Sequence, residues 1–196
     1  MSKYLKSFSN DSEYLVFTSS QDFVKPNVSY CIQENHLHYN PIETRVIATF
    51  NVANSGNVKI YGYAINESWP EYSIYGANNF DAVEIDNNLV SVSSIDTNEG
   101  YYNLSAGTHT IAYTLKDKSK INESSFRNSE MTSVVIPNNV QRIESSSFNG
   151  CQNLVTVTLP QTVSFDQCTF YMCDNLDASS ISAIDAINRN ARTCAE

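Results

Sequence analysis

Two histidines with a spacing that suits a metal site are the first residues that could do chemistry. His36 and His38 stand two apart. Side chains two apart on a β-strand point to the same face, so both imidazoles could bind one ion. Glu34 would share that face if the strand began early enough. Since the sequence supplies no evident third ligand, we interpret the stretch as an exposed polar strand or loop and predict no metal. The remaining histidine, His109, is predicted to be structural.

Two carboxylate pairs could act as acid and base or form part of a calcium site. Glu84 and Asp86 would share one strand face, and Asp96 and Glu99 flank a predicted turn. Both kinds of chemistry use such arrangements. We interpret all four as solvated surface charge. A small hydrolase that acts on surface glycans is therefore the last function we consider, because only these carboxylates favour it.

The patterns that nucleophilic or nucleotide chemistry requires are missing from the sequence. It has no G-x-S-x-G turn, only three histidines, and six glycines without a phosphate-binding loop. We predict a protein that is not an enzyme, with no catalytic residues and no cofactor.

An aromatic cluster predicts a recognition loop. The single tryptophan, Trp69, precedes Tyr72 and Tyr75 in the stretch W-P-E-Y-S-I-Y. Loops with this composition are common in binding surfaces. The hypothesis is a contact with a sugar or a protein, and the alternative is that these side chains pack beneath the loop.

The cysteines form no recognisable framework. There are five of them, and no C-x-x-C pair occurs, which argues against a disulfide framework and against a structural zinc site. We predict reduced thiols that fill the core. The cysteines are Cys31, Cys151, Cys168, Cys173 and Cys194.

The acidic balance of the chain excludes some partners. Twelve Lys and Arg stand against 21 Asp and Glu, which gives a net charge of −9. We expect no direct binding to nucleic acid or to an anionic membrane. The N-terminus lacks the apolar core of a signal peptide, and no apolar run has the length of a membrane span. We expect a protein that is made in the cytoplasm and stays soluble.

A repeat of 22 residues is the strongest internal pattern. Phe126, Phe148 and Phe170 are each 22 residues apart. A period of roughly 20 to 29 residues is typical of leucine-rich repeats. Further positions keep the same step, namely Ile121, Ile143 and Phe165, Cys151 and Cys173, and Leu154 and Leu176.

Each repeat contains a short strand rich in β-branched residues that ends at a proline, at Thr132–Ile136 and Val155–Leu159. Such strands stack, so the recurrent Phe and Cys are predicted to form ladders in the interior. The phrases I-P-x-x-V-x-x-I and S-F-x-x-C-x-x-L, between residues 136 and 154, resemble BspA-type leucine-rich repeats. Glu144 and Ser147 stand where that family usually has glycine and alanine.

The C-terminal tail predicts a helix. From about Ser179 to Arg192 the apolar residues lie mostly on one helical face, with Asp177 or Ser179 as the N-cap. Two full repeats and a fragment cannot bury a continuous core alone. We therefore interpret the helix as the C-terminal cap of the solenoid.

Strands are also predicted in the front half. Alternation of apolar and polar residues predicts a hairpin of Arg45–Val52 and Asn57–Ile65 around the turn at 53–56. Six short strands at this spacing predict a small antiparallel, Ig-like β-sandwich. The other four strands are predicted at Phe80–Ile85, Leu89–Val92, Tyr101–Leu104 and Thr108–Leu115.

Residues 1–41 contain isolated apolar anchors, which predicts an arm that docks on a partner. The pieces P-N-V-S-Y and H-Y-N-P resemble the N-terminal leader of virion proteins from phages of Bacteroides-type bacteria, including the crAss-like phages. The resemblance implies that the arm attaches the protein to a capsid or tail neighbour. The docking residues it implies are Phe23, Pro26, Val28, Tyr30, Tyr39 and Pro41.

The predicted fold is mainly β and has four parts. They are an N-terminal docking arm at 1–41, a β-sandwich domain at 42–117, a leucine-rich-repeat solenoid at 118–176 and a helical cap at 177–196. By resemblance, the chain is a non-enzymatic structural protein of a phage virion, such as a capsid decoration, a head fibre or a tail accessory protein.

The expected partners are capsid or tail proteins and further copies of the chain. A trimer is favoured, because edge strands and open solenoid ends need covering. A host receptor or glycan is a further candidate. The alternative function is a bacterial BspA-like surface adhesin or binding module for a host protein or glycan, and the missing export signal argues against it.

Overall fold

The β-branched and aromatic residues form short strands in much of the described chain. The structure, a computed structural model, describes residues 4–7, 13–16, 28–33, 36–41, 44–62, 79–91, 94–95 and 99–194. The chain divides into two units, Met1–Glu43 and Thr44–Glu196. The prediction of a mainly β protein is confirmed, with one α-helix near the C-terminal end of the described residues.

In the described part of the first unit, which includes the predicted arm, four strands form an antiparallel sheet. Its strands pair in the order β1-β2-β4-β3. β1 and β2 have only four residues each, which is too short for a clear period-two pattern. The strands are β1 (Tyr4–Ser7), β2 (Glu13–Val16), β3 (Val28–Gln33) and β4 (His36–Pro41).

Among the described residues of the front part of the second unit, six strands overlap the six predicted ones. On the first of them, Val46, Ala48 and Phe50 are fully buried and alternate with more exposed residues, as in a sheet with one buried face. The strands are β5 (Val46–Val52), β6 (Gly56–Lys59), β7 (Phe80–Ile85), β8 (Asn88–Val90), β9 (Tyr101–Leu104) and β10 (Gly107–Leu115).

The predicted hairpin of β5 with β6 is wrong. β5 pairs with β10 along one edge, in register from Val46 with Tyr113 to Val52 with Gly107. β6 instead pairs with β9 in a separate two-stranded sheet. The nine-residue β10 offers β5 a longer antiparallel partner than the four-residue β6 does, so the turn after Val52 leads the chain into another sheet.

The repeats supply five short strands and a helical end. Those that begin each repeat, β11, β13 and β15, form a parallel three-stranded sheet, in which Ile143 lies between Ile121 and Phe165. The elements are β11 (Lys120–Ile121), β12 (Ser133–Val135), β13 (Arg142–Ile143), β14 (Thr156–Thr158), β15 (Ser164–Phe165), α1 (Ala178–Asn188) and a 3-10 turn (Arg189–Arg192).

The main sheet continues from the front strands into the repeats. Its order is β14-β12-β5-β10-β7-β8, with β12 antiparallel to β5 and parallel to β14. One backbone ladder crosses this junction. The N–H of Thr132 donates to the carbonyl of Thr49 at 2.7 Å, and that of Val155 donates to Thr132 at 2.9 Å. β5 thus covers the first repeat strand.

The hydrophobic core is continuous across the same junction. Phe148 stacks on Phe126 and on Phe170, each with ring centroids 5.1 Å apart. Phe126 in turn packs against Phe80 and Tyr113 of the front strands, at 5.4 and 5.0 Å. The predicted Phe ladder is therefore present. The domain boundary predicted between the β-sandwich and the repeats, at residues 117 and 118, stays a prediction. Both the main sheet and the hydrophobic core extend across it.

Two left-handed residues recur in every repeat turn. Ser124, Ser146 and Cys168 have φ of 57°, 57° and 60°. Four residues after each of them, a second left-handed position follows at the same 22-residue step. Those residues are Asn128, Gly150 and Met172, with φ of 57°, 75° and 58°. The recurrence of both positions gives the repeat turns a common backbone path.

The predicted ladder of thiols is also present. The Cys151 thiol donates to the carbonyl of Phe126 at 3.0 Å, and the Cys173 thiol donates to Phe148 at 3.1 Å. Both cysteines are free and buried. Burial raises the pKa of the Cys151 thiol well above its usual value, so the thiol keeps the proton that it donates.

The helical end covers the last repeat. Asp177 caps α1 by accepting a hydrogen bond from the N–H of Ser180, and the Ser180 hydroxyl accepts the N–H of Val157 at 2.9 Å. In the earlier repeats, the N–H of the equivalent Phe donates to a carbonyl of the next repeat. The N–H of Phe170 donates instead to the carbonyl of Ala191, at 2.7 Å. The free edge of the repeats is thus closed by α1 and the 3-10 turn.

One part of the cysteine prediction is wrong. Cys168 and Cys194 form a disulfide with Cα atoms 4.8 Å apart. They are 26 residues apart in sequence, and the fold that brings them together, the return of the chain after α1, is not visible in cysteine spacing. The bond ties the end of the described chain to the last repeat turn.

Candidate functional site

The predicted docking residues lie partly in paired strands. β3 and β4 place Val28 opposite Pro41 and Tyr30 opposite Tyr39. The two sequence pieces that carry the resemblance to phage proteins are therefore neighbours in one sheet, which their separation in sequence did not predict. Two further docking candidates, Phe23 and Pro26, lie outside the described residues.

Several other candidates also fall outside the described residues. These are Glu34, Asp96 and the three side chains of the predicted recognition loop, Trp69, Tyr72 and Tyr75. The two histidines of the candidate metal site belong to β4, where His36 pairs with Gln33 and His38 with Cys31. Across the described part of the chain, no group of three or more His, Cys, Asp or Glu side chains is arranged to hold a metal ion.

Glu84 and Asp86 do not act as a pair, because each contacts a different cation. Glu84 forms an ion pair with Arg45 at 2.6 Å. Asp86 lies at the β7–β8 turn, where its Oδ2 is 2.7 Å from Nδ1 of His109 and its Oδ1 accepts the N–H of Thr110. The two carboxylates therefore have different partners.

The Asp86–His109 contact shifts both groups towards their charged forms. The hydrogen bond to Asp86, helped by the Ser105 carbonyl 3.0 Å from Nε2, raises the pKa of His109. Burial alone would raise the pKa of Asp86, but the hydrogen bonds from His109 and Thr110 outweigh it and lower that pKa. His109 therefore holds the end of β10 against the β7–β8 turn, in line with a structural role.

A groove that the sequence did not predict lies where β5 runs past the first repeat strands. It consists of two cavities of about 260 and about 320 Å³ that share Glu130 and Asn153. One wall is the turn after β5, and the other is formed by two successive repeat turns. We call this concavity the amide groove, because its polar lining includes Asn54, Asn57, Asn128, Gln152 and Asn153.

The repeat places equivalent residues along the groove. Glu130 and Gln152 are 22 residues apart, and so are Asn128 and Gly150. Neighbouring repeats are spaced about 4.8 Å apart when their strands pair. The signal in sequence was an excess of Asn at turn positions, which is also what ordinary turns use, so composition alone could not indicate a groove.

The described residues contain no helix with the length and hydrophobicity that a bilayer crossing requires.

Comparison with known proteins identifies the repeats only. Residues 119–195 match the family model described as "BspA type Leucine rich repeat region (6 copies)". No curated protein and no solved structure matches the chain. The match begins at the loop before β11 and continues through α1 and the 3-10 turn, so it includes the segment predicted as a cap. Residues 119–195 are a BspA-type leucine-rich repeat region.

Proposed function

We propose that the protein is a non-enzymatic structural component of a phage virion. Its first unit attaches to a capsid or tail protein, and its second unit, with the Ig-like sandwich and solenoid expected from the sequence, projects outward. The division of the chain at Glu43/Thr44 carries this proposal. A separate small unit is what an attachment element requires, and the sequence pieces that resemble phage leaders both lie in it.

The strand pairing adds support for attachment through β3 and β4. The two pieces adjoin across the pairs Val28–Pro41 and Tyr30–Tyr39. Because the two pieces are paired, they offer one continuous docking element rather than two separate anchors. We keep all six docking residues as part of the proposal.

Self-assembly into a trimer remains part of the proposal, but only an exposed sheet edge now supports it. The repeat ends, which were expected to need a neighbour, are covered by β5 on one side and by α1 with the 3-10 turn on the other. In the second unit β8 is the outer strand of the main sheet, and its Leu89 is 73% exposed. Light scattering on the full chain would measure the oligomeric state.

A second candidate is a binding module that resembles BspA-type adhesins. Two observations favour it, the BspA-type repeat region and the Cys168–Cys194 disulfide. Disulfides persist in oxidising surroundings and are rare in the cytosol. A module that works outside the cell on a host protein or glycan would experience such surroundings, and so would the exposed part of a virion.

Quantitative mass spectrometry of density-purified phage particles tests the first candidate. We expect the chain in a fixed ratio to the major capsid protein. A variant that begins at Thr44 should keep the circular dichroism spectrum of its unit but fail to join particles. Absence of the full chain from particles would contradict the virion proposal and favour the binding module. Attachment of the truncated variant would contradict the role of the first unit.

A further inference from the structure

We propose that the amide groove binds a neutral oligosaccharide. This inference deepens the second candidate function and rests on it, because it names the ligand that a binding module would take. It does not depend on whether the first unit attaches to a particle.

The shape follows from the way β5 meets the repeats. Ser133 of β12 pairs with Thr49, so the last residues of β5 extend beyond the start of β12. The turn after Val52 then stands opposite the repeat turns at 128–130 and 150–153. The two cavities between them are adjacent, since Glu130 and Asn153 line both, and together they offer room for several sugar rings.

Five side-chain amides of the groove are free to bind a ligand. Within the described part of the protein, none of these side chains has a hydrogen-bond partner. Each amide carries two donors and an acceptor, and each sugar hydroxyl also donates and accepts. Neighbouring amides can therefore bind neighbouring hydroxyls in pairs. The residues are Asn54, Asn57, Asn128, Gln152 and Asn153.

The charge of the groove disfavours an anionic ligand. Its described lining includes no Lys or Arg and one carboxylate, Glu130. Oε1 of Glu130 accepts the N–H of Lys59 at 2.8 Å, which holds the negative charge at the centre of the site. The whole chain carries a net charge of −9. Phosphate, sulfate and sialic acid groups would be repelled.

The apolar lining does not favour a peptide. Extended peptides add to a free strand edge or insert side chains into apolar pockets. Both edges of β5 are already paired, with β10 and β12. Phe50 and Val58 at the groove are only 0% and 6% exposed, and the other apolar lining residues, Val52 and Ala53, are too small to form a deep side-chain pocket. A ligand rich in hydroxyl groups fits the remaining polar surface better.

The groove is held in shape before any ligand binds. The Ser55 hydroxyl accepts the N–H of Ala106 at 2.9 Å and anchors the wall turn. On the other wall, Asn128 lies over Gly150, where a Cβ would come within 2.0 Å of its Oδ1. Because Gly150 has no Cβ, it leaves room for the Asn128 amide at the edge of the groove.

Saturation-transfer NMR on the full chain tests the proposal. The probes are chitotetraose, mannotriose and maltotetraose, with sialyllactose as the anionic comparison. We expect signals from at least one neutral probe. The double variant Gln152→Ala/Asn153→Ala should weaken its binding about 25-fold, since one lost neutral hydrogen bond corresponds to about fivefold. Asn138→Ala, an exposed amide of the repeats outside the groove, should leave binding unchanged.

The outcomes separate this proposal from the others. Binding that is lost in the double variant and kept in the Asn138→Ala control supports the amide groove. Failure of all three neutral probes, equal binding by the double variant, or stronger binding of sialyllactose would overturn it. Circular dichroism and the thermal midpoint verify that the double variant is folded. If the chain were absent from particles, the virion proposal would be contradicted, but the sugar-binding result from NMR would be unaffected.

Discussion

At the scale of single residues, Phe148 is the side chain on which the repeat stack depends most directly. It is fully buried, and its ring lies between Phe126 and Phe170 at 5.1 Å from each. Phe148→Ala should lower the free energy of unfolding by about 3–5 kcal/mol, from lost burial and from the cavity left behind. Chemical denaturation followed by circular dichroism measures this change.

Leu89→Ala is the matched control for that experiment. It also truncates a large apolar side chain, but Leu89 is 73% exposed. Its removal should change the free energy of unfolding by less than about 0.5 kcal/mol. Equal destabilisation by the two variants would contradict the assignment of Phe148 to the core.

The Asp86–His109 contact predicts a pH dependence of stability. Because the pKa of His109 is raised in the folded state, its contribution is complete below the unfolded value of 6.5 and is lost as the pH rises through the folded value. Because the pKa of Asp86 is lowered, its contribution is present above 3.8 and is lost as the pH falls through its folded value. The contact therefore stabilises most between 3.8 and 6.5.

Asp86→Asn isolates this effect. Asn tolerates the left-handed conformation that Asp86 adopts, with φ of 50°, so the turn should persist. Between about pH 6 and about pH 8, the original protein should lose stability as His109 releases its proton. In the variant this loss should be smaller, by up to about 1 kcal/mol, the usual size for a partly exposed ion pair. Denaturant titrations at both pH values measure it. An unchanged slope would show that another group titrates.

Gly150 is the residue whose replacement should distort a repeat turn. Its φ is +75°, and a Cβ there would lie 2.0 Å from Oδ1 of Asn128. Gly150→Ala should destabilise the protein by about 1–2 kcal/mol, mainly through the left-handed backbone. Gly56→Ala is the control, since a Cβ at Gly56 meets nothing within 4 Å. Similar thermal midpoints for the two variants would contradict this explanation.

At the scale of elements, the sequence predicted the bounds of several strands closely. Phe80–Ile85 and Tyr101–Leu104 have the predicted bounds, and β10 begins one residue earlier than predicted. Strand partners were harder to predict, because pairing depends on contacts between distant parts of the chain. β5 pairs with β10 and β12 rather than with the nearby β6. The local sequence pattern does not predict this choice of partners.

The candidate site was even less predictable than the pairing. The repeat step predicted the Phe and Cys ladders, because equivalent buried positions must stack. The amide groove instead arises where a front turn and two repeat turns meet, at residues 52–57, 128–130 and 150–153. None of these turns has an unusual sequence by itself, so the groove becomes visible only after the chain has folded.

The disulfide gives the helical end a stability that depends on redox conditions. The bond between Cys168 and Cys194 closes a loop with a sequence separation of 26, which includes α1 and the 3-10 turn. Cys194→Ser should lower the free energy of unfolding by about 2–4 kcal/mol, the usual effect of removing such a cross-link. Denaturation of the oxidised protein measures it. In reductant, the original protein and the variant should become alike, and a difference that persists there would contradict the role of the bond.

At the scale of the whole molecule, we expect the second unit to unfold as one body, because sheet and core continue across its middle. β12 extends the sheet of the front strands through β5, and Phe126 joins the repeat ladder to Phe80 and Tyr113. A unit with one core unfolds as a whole in an all-or-none transition. Separate sandwich and solenoid domains would instead unfold independently.

Native-state hydrogen exchange distinguishes these two possibilities. The most protected amides of β10 and β14, for example those of Ile111 and Val157, should exchange with similar opening free energies. Phe148→Ala should lower both values by the same amount, although Ile111 belongs to the front strands and Phe148 to the repeats. If only the repeat amides lost protection, the two halves would be separate folding units. β5 would then act as a contact surface between them rather than as part of a shared core.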